Sequence, residues 1–390
     1  MDNHRTAELP ALPELPELPA RTEVAVVGAG PTGLALAITL AEAGVDFVLL
    51  DRQADIPRTS RAGVVHARTL EVLQELGCAD ELVERGLPVS RFTVRDGSRR
   101  LLHADFGGLP TAYPYALLAP QYETEDVLRA RLRALGGEVH RPYEVTAVAQ
   151  DADGVTLTLT GGRTLRAGYA VGADGMHSVV REASGIGFAG GSYGESFVLA
   201  DVVMDWAPGR EEVSLAFGAA GLTVVAPLPG SDRFRVVCTV DEAPAAPDLP
   251  LVQRLLDVRV PGQARVRELV WSSRFRVHHR VADRYRAGRL LLAGDAAHVH
   301  SPAGGQGMNT GIQDGYALGR ALATGTLDAY EARRRQVAQR VVAFTHRMTR
   351  VATTRNPLLR LARNTVLPLL GRVPAFRTRL VTELAELNYR

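Results

Sequence analysis

The stretch EVAVVGAGPTGLALAITLAEAGVDFVLLD, residues 23–51, decides the fold. Residues 23–27 form a short apolar run that reads as a buried strand. Gly28-x-Gly30-x-x-Gly33 follows directly, with Pro31 inside the turn. Residues 34–43 have helical composition and stop at Gly44, a natural residue just past a helix end. Residues 46–50 read as a second apolar strand, ending on Asp51, 18 residues beyond the last glycine. Alone, the three glycines say little. Between a strand and a helix, with an acid closing the next strand, they mark a dinucleotide-binding βαβ unit. Gly28 permits the tight turn, Gly30 lets the backbone approach a pyrophosphate, and Gly33 lets the helix pack on the sheet. The helix N-terminus adds N–H groups and partial positive charge. Asp51 can accept hydrogen bonds from ribose hydroxyls and would repel a 2′-phosphate, so the unit suits FAD or NAD rather than NADP. A glycine turn that binds nothing is the plain alternative, and the three-part context outweighs it.

Outward from this unit, composition narrows the class. The chain has 390 residues, 46% hydrophobic and 23% charged, which is ordinary for a globular enzyme. The net charge of +2 offers no argument for nucleic acid or an anionic membrane. All 45 basic residues are arginine, which removes lysine Schiff-base chemistry and the lysine of a P-loop. Cys78 and Cys238 are too few for a disulfide framework or a cysteine zinc site and read as buried thiols. Residues 1–20, with proline at every third position in ELPALPELPELPA, read as an extended, disordered arm rather than a signal peptide. No run reaches 18 apolar residues, so no membrane span is expected, and the cytoplasm is the expected compartment.

Further helices are expected at 68–76 and 123–135, and a hairpin at 145–160 around a DADG turn. Residues 196–240 break into short β-rich runs that suggest an antiparallel sheet. Residues 288–297 return to a buried strand and loop, and everything after Asn309 reads mostly helical. The arginine-rich EARRRQVAQR reads as a solvated helix face. The expected class is α/β with an α+β insertion. A Rossmann-like FAD-binding domain would comprise 21–85, 115–190 and 285–340. A substrate-binding sheet domain would comprise 86–114 and 191–284, and a C-terminal helical segment 341–390.

Two more motifs bear on chemistry. AVGADGMHSVVR spans 170–181, and GDAAHVHSPAGGQGMN spans 294–309. At first sight Asp295, His298 and His300 look like metal ligands. The two histidines stand two apart without a clear third and fourth ligand, so no metal is expected. Asp295 instead follows an apolar strand at its C-terminal end, where α/β sheets place ligands. The glycines of AGGQG let backbone approach a flat ring. A helix starting near Asn309 would aim its partial positive end at that ring and favour negative charge there.

With the N-terminal glycines, these motifs resemble the class A flavoprotein monooxygenases of the p-hydroxybenzoate hydroxylase fold, over residues 23–340. SRAGVVHARTLEVL at 60–73 and LDAYEARRRQVA at 327–338 look closest to the aromatic hydroxylases that tailor polyketides. The resemblance implies that Gly28, Gly30, Pro31 and Gly33 hold the FAD pyrophosphate, Asp51 the adenosine ribose, and Arg52 flanks the adenine. Most relatives have glutamate at the position of Asp51. Arg61 and Gln121 match contacts to the pyrophosphate and ribityl chain, and Val145 matches a backbone contact to adenine. Asp174 resembles the residue tied to FAD and to reduced nicotinamide, and Asp295 the acid that binds ribityl hydroxyls. Pro302, Gly304, Gly305 and Gly307 match the loop beside the isoalloxazine, and Met308 and Asn309 the residues at its pyrimidine edge.

The implied reaction is reduction of tightly bound FAD by NADPH or NADH, reaction with O2 to a C4a-hydroperoxide, and hydroxylation of a hydrophobic aromatic substrate, polycyclic in the polyketide case. No second glycine fingerprint is present, so the nicotinamide nucleotide would bind transiently. Weak candidates for a substrate base are His298, Tyr193, Arg233 and Arg235. Val213, Leu215, Phe217, Val224 and Val225 would form an apolar substrate wall, or plain core. An epoxidase or Baeyer–Villiger enzyme of the same fold is the alternative. Halogenases of this fold carry a Trp-x-Trp motif and a catalytic lysine, whereas Trp206 and Trp271 stand apart here and lysine is absent. Relatives of the polyketide type carry a C-terminal thioredoxin-like domain; none is expected within these residues. A monomer or homodimer is expected.

Overall fold

The computed structural model describes residues 17–55, 62–97, 99–354 and 356–390, and side chains other than those of Tyr193, Glu195 and Val277. Most of the proline-rich arm, and Arg61, therefore lie outside the described residues.

The βαβ unit forms as read. Strand β1 (Arg21–Val27) leads into helix α1 (Pro31–Glu42), then strand β2 (Phe47–Leu50). The helix starts three residues before the expected Leu34. Pro31 sits at its first turn, where a missing N–H costs nothing, and Gly30 precedes it in an extended conformation. Helix α2 spans Ala67–Glu75 and α3 spans Gln121–Ala134. The expected hairpin consists of strands Val145–Gln150 and Val155–Leu159. It runs on into strand β3 (Thr164–Gly172), which returns beside β1 in parallel. Strand Leu290–Leu292 adds to β3 in parallel and delivers the chain to the GDAAH turn.

The first sheet thus places β3, β1 and β2 side by side, with their C-terminal ends together. Helix α1 is buried on nearly every face: Leu34, Leu36, Ile38 and Leu40 are each fully enclosed. The sheet covers one side and helix α4 (Gly307–Thr324) the other. Three glycines on α4 make this close approach possible. A Cβ on Gly311, Gly315 or Gly319 would fall 2.4 Å from Thr32 Oγ1, 2.3 Å from the Thr32 carbonyl and 2.6 Å from Thr39 Cβ, respectively. The two helices are therefore packed backbone to backbone, and their positions are fixed together.

The second sheet is larger than 196–240 suggested. Its long members are β4 (Phe188–Trp206) and β5 (Ala264–Ala282), which pair antiparallel with register shifts at Ser192/Ser196. Beyond β4 come strands Arg233–Val240, Gly221–Pro227 and Glu212–Gly218, then Arg91–Asp96 and Arg99–Asp105. One pairing, Glu212–Gly218 with Arg91–Asp96, is parallel. Helix Leu249–Arg259 covers one face, packing Val252 and Leu256 on Val198, Val202, Val236 and Cys238. Val225 belongs to this rear core, which removes it from the expected substrate wall. Leu215 and Val224 point the other way, toward the main core and Phe217.

The chain ends in three helices: α5 (Leu327–Ala352), α6 (Pro357–Leu370) and α7 (Pro374–Leu384). Among the described residues, no helix is long and apolar enough to cross a membrane. Both cysteines are buried and unpaired with one another.

Candidate functional site: a nucleotide cleft and its glycine loops

A cleft of about 410 Å3 opens at the C-terminal ends of β1, β2 and β3. Gly28, Gly30, Asp51, Arg52, Gln121, Val145 and Asp174 all line it, though they come from five separate parts of the chain. The glycine turn has the geometry its spacing implies. Gly28 has φ +102°, and a Cβ there would lie 2.3 Å from the Ala173 carbonyl oxygen. A Cβ on Gly33 would lie 1.9 Å from the Gly28 oxygen. Gly30 differs: a Cβ there meets nothing within 4 Å. Its open side faces the cleft. Helix α1 has no side-chain cap and no acid in its first turn, so its N-terminal N–H groups are left for a ligand.

Asp51 is held from three sides. One oxygen accepts from the Ala29 N–H at 2.9 Å, and the other from the Gln53 N–H at 2.8 Å and from Arg141 at 3.0 Å. Arg141 also donates to the Gln53 carbonyl at 2.9 Å. The shorter carboxylate is thus supported by an arginine that the fingerprint does not contain. Arg141 follows a two-residue strand that joins the sheet edge beside β2, a placement visible only in three dimensions. Gln121 opens α3 and donates to Glu125 at 2.8 Å. Burial pushes the Glu125 carboxyl up from its ordinary value. Asp174 accepts the Val179 N–H at 2.8 Å, and burial raises its carboxyl too.

The GDAAH turn sits apart from this cleft. Gly294 has φ +61° and presses on Thr32, where an added Cβ would come within 2.5 Å of Oγ1. Asp295 is exposed between buried Gly294 and Ala296. The turn is anchored by Asp314 of α4, a fully buried acid that no motif pointed to. Asp314 accepts the Gly294 N–H at 3.1 Å, His298 Nε2–H at 2.7 Å and Arg334 Nε–H at 2.5 Å. Burial alone would raise its carboxyl, but Arg334 and His298 hold it below the usual range.

This network removes His298 as a substrate base, since the ring is 1% exposed and bonded to Asp314 behind the loop. His300 hydrogen-bonds the Ser301 carbonyl at 2.9 Å, and burial pushes it down to about 4, so it is neutral and donates from Nδ1. No cluster of metal-ligating side chains occurs among the described residues.

The glycine loop is held from the other side by residues 62–66. Asn309 accepts the His66 N–H at 2.8 Å and donates to Val64 at 2.9 Å and Gly305 at 2.7 Å. His66 donates to the Gly304 carbonyl at 2.6 Å, and burial pushes it down to about 4. The Asn309 side chain, expected at the edge of a ring, is therefore engaged with the protein's own backbone. Helix α4 begins at Gly307, two residues earlier than expected, with neither a side-chain cap nor an acid in its first turn. Met308 and Gly307 are half-buried at that end, Gly304 and Gly305 have φ +86° and +67°, and Pro302 is exposed.

Arg235 is not a base either. It is 5% exposed, grips Asp201 with two hydrogen bonds of 2.7 and 2.8 Å, and donates to the Ala62 carbonyl at 2.7 Å. Arg233 shares its face but is exposed, beside a smaller cleft of about 130 Å3 with Tyr122 and Trp271. A guanidinium remains protonated near neutral pH, so neither arginine can take a proton. Arg61 and the Tyr193 side chain lie outside what the structure describes.

The residues present fit an FAD. The cleft has the volume of a ligand site. The open side of Gly30, the free N-terminus of α1 and the acid at the end of β2 match a pyrophosphate and a ribose in order.

Comparison with known proteins agrees. Residues 21–345 match the family model described as FAD binding domain. The chain is 39% identical over 350 residues to 6-methylpretetramide 4-monooxygenase of Streptomyces rimosus, covering 86% of this chain and 63% of that protein. It is 36% identical over 362 residues to rifampicin monooxygenase of Streptomyces venezuelae, covering 85% and 72%. It thus spans under two thirds of the first of these relatives. Among solved structures, p-nitrophenol 4-monooxygenase from Pseudomonas putida DLL-E4 superposes with a TM-score of 0.85 at 29% identity, over 94% of this chain and 98% of that one. The chain belongs to the FAD binding domain family, and the relatives it matches are named as monooxygenases.

Proposed function

We propose that this chain binds FAD and, with NADPH or NADH and O2, adds one oxygen atom to a hydrophobic aromatic substrate, with a polycyclic polyketide as the favoured class. The observation that carries the reading is the single cleft lined by Gly28, Gly30, Asp51, Gln121, Val145 and Asp174. Relatives named for 6-methylpretetramide, rifampicin and p-nitrophenol support the reaction type. Residues 21–85, 115–190 and 285–340 would hold the cofactor, and 86–114 and 191–284 the substrate.

FAD, when bound, would supply hydride acceptance from the nicotinamide and activation of O2. The protein's part is to bind, orient and exclude water. Gly28 and Gly30 bring backbone to the pyrophosphate, and the N-terminus of α1 faces its charge. Asp51, steadied by Arg141, accepts from the ribose. The N-terminus of α4 offers partial positive charge to the glycine loop beside it, where negative charge on a reduced ring would be stabilised. Residues 62–66, tied to Gly304, Gly305 and Asn309, hold that loop in place. The face of the second sheet that turns away from its covering helix carries the stacked pair Phe197 and Phe275, with ring centroids 5.1 Å apart and Phe197 itself buried.

The test begins with the purified protein. It should carry an oxidised-flavin visible spectrum, and consumption of NADPH or NADH should accelerate with a polycyclic phenol. Mass spectrometry should then find a product heavier by one oxygen atom. A protein that takes up no FAD would sink the reading; uptake without oxygen transfer to any aromatic compound would leave a flavin-binding protein of another reaction class.

A further inference from the structure

Helix α6 is inside out. An amphipathic surface helix normally buries its apolar stripe and shows its polar one. Here the polar stripe is buried. Arg363 is 7% exposed, donates to the carbonyls of Phe217 and Val351 at 3.2 Å each, and sits 5.3 Å from the centre of the Phe217 ring. Asn364 donates to Asp96, and Arg360 and Arg363 stand 3.9 and 3.6 Å from the same carboxylate. On the opposite side Leu358, Leu359, Leu361, Val366 and Leu369 are 74, 59, 66, 48 and 55% exposed. At 100° per residue they sweep about 160° of the helix without a charged residue among them. Val351 and Val373, just before and just after α6 in the chain, are exposed too, so that seven of the nine large exposed hydrophobics among the described residues fall within residues 351–373.

Charge is as uneven as hydropathy. Residues 332–382 contain twelve arginines and no aspartate or glutamate, which leaves the rest of the chain at −10. The whole-chain +2 averages this asymmetry away. Arg347, Arg350, Arg372, Arg377 and Arg379, on the segments that flank α6 in the chain, are exposed. A second copy docked through a two-fold axis would set these like-charged rims against each other. A stripe about 21 Å long is also small beside the ~800 Å2 per partner that a stable interface buries. An apolar face rimmed by cations is instead what an anionic lipid surface accepts, with the helix lying in the interfacial plane.

We propose that α6, with its arginine rim, docks this protein peripherally on an anionic bilayer surface. The helix is already folded and fastened by Arg363 and Asn364, so docking needs no disorder-to-order step. The face lies on the second sheet's side of the molecule and contains none of the residues assigned to FAD.

The experiment is vesicle flotation of the full FAD-loaded chain, with phosphatidylcholine alone and with equal parts phosphatidylcholine and phosphatidylglycerol, at low and high salt. The protein should float with the mixed vesicles at low salt and be released by salt. Leu358→Asp with Leu369→Asp should lower partitioning by at least about tenfold. Arg372→Gln with Arg377→Gln should lower it by about fivefold per residue. All four side chains are exposed, so FAD content and melting temperature should match the parent; should the leucine pair fail to fold, the arginine pair decides. No flotation with acidic vesicles, or flotation unchanged by the arginine pair, overturns the proposal. So does a parent that runs as a dimer, binds no vesicles, and becomes monomeric in the leucine variant, which would give the face to a second copy.

Discussion

Asp314 shows how one side chain can set a site it does not line. Its two oxygens hold the Gly294 N–H, the His298 ring and the Arg334 guanidinium, all in a fully buried setting. Removing its charge leaves Arg334, 3% exposed, without a counterion, and such a loss costs about 3–5 kcal/mol. Asp314→Asn should therefore lower the melting temperature of the FAD-free protein. It should also weaken FAD binding, because the turn carrying Asp295 loses its anchor. The check pairs thermal unfolding of apoprotein with a fluorescence titration by FAD. Unchanged FAD affinity in a folded variant would reduce Asp314 to a packing role. The motif around His298 invites a catalytic or metal reading because its partner stands 16 residues away on the next helix, where no local pattern joins them.

At the scale of an element, the glycine turn between β1 and α1 separates ligand geometry from packing geometry. A side chain on Gly30 meets no protein atom within 4 Å and needs no unusual backbone, whereas one on Gly33 collides with the Gly28 carbonyl at 1.9 Å. Gly30→Val should therefore keep the apoprotein's melting temperature while lowering FAD affinity by at least about a hundredfold, a loss near 2.7 kcal/mol. Gly33→Ala should destabilise the apoprotein itself by about 1–3 kcal/mol. Full FAD occupancy in Gly30→Val would displace the pyrophosphate from this turn. This unit was legible in the sequence because strand, turn and helix are all encoded within 29 consecutive residues. The same holds for the hairpin at 145–160 and for α2 and α3, which fall within two residues of their expected bounds. What was not legible depends on long-range contact. Arg141 reaches Asp51 only because a two-residue strand joins the sheet. Strands β4 and β5 run far past the apolar runs that announce them because they pair with each other along their length. The Gly311, Gly315, Gly319 spacing takes its meaning only from the fold, which brings α1 against it.

For the whole molecule, the seams between distant segments carry buried titratable groups with opposed displacements. His66 and His300 are pushed down to about 4 by burial, and Glu386, against Gln313 of α4, is pushed up to about 8 by the same cause. Each histidine binds its proton more readily in the unfolded chain, so between 4 and its ordinary 6.5 stability rises with pH. Glu386 behaves oppositely: between its ordinary 4.5 and about 8 the folded state holds the extra proton, and stability falls as pH rises. Below 6.5 the two histidines outweigh the single acid, and above 6.5 the acid acts alone. These three groups therefore place maximal stability near pH 6.5, with a decline of about 2 kcal/mol from there to pH 8. Urea unfolding across that range should show the decline in the parent and its removal in Glu386→Gln, which keeps the shape and loses the ionisation. A parent whose stability keeps climbing to pH 8, or a Glu386→Gln variant with the parent's slope, would mean that the C-terminal turn does not hold its acid protonated against α4.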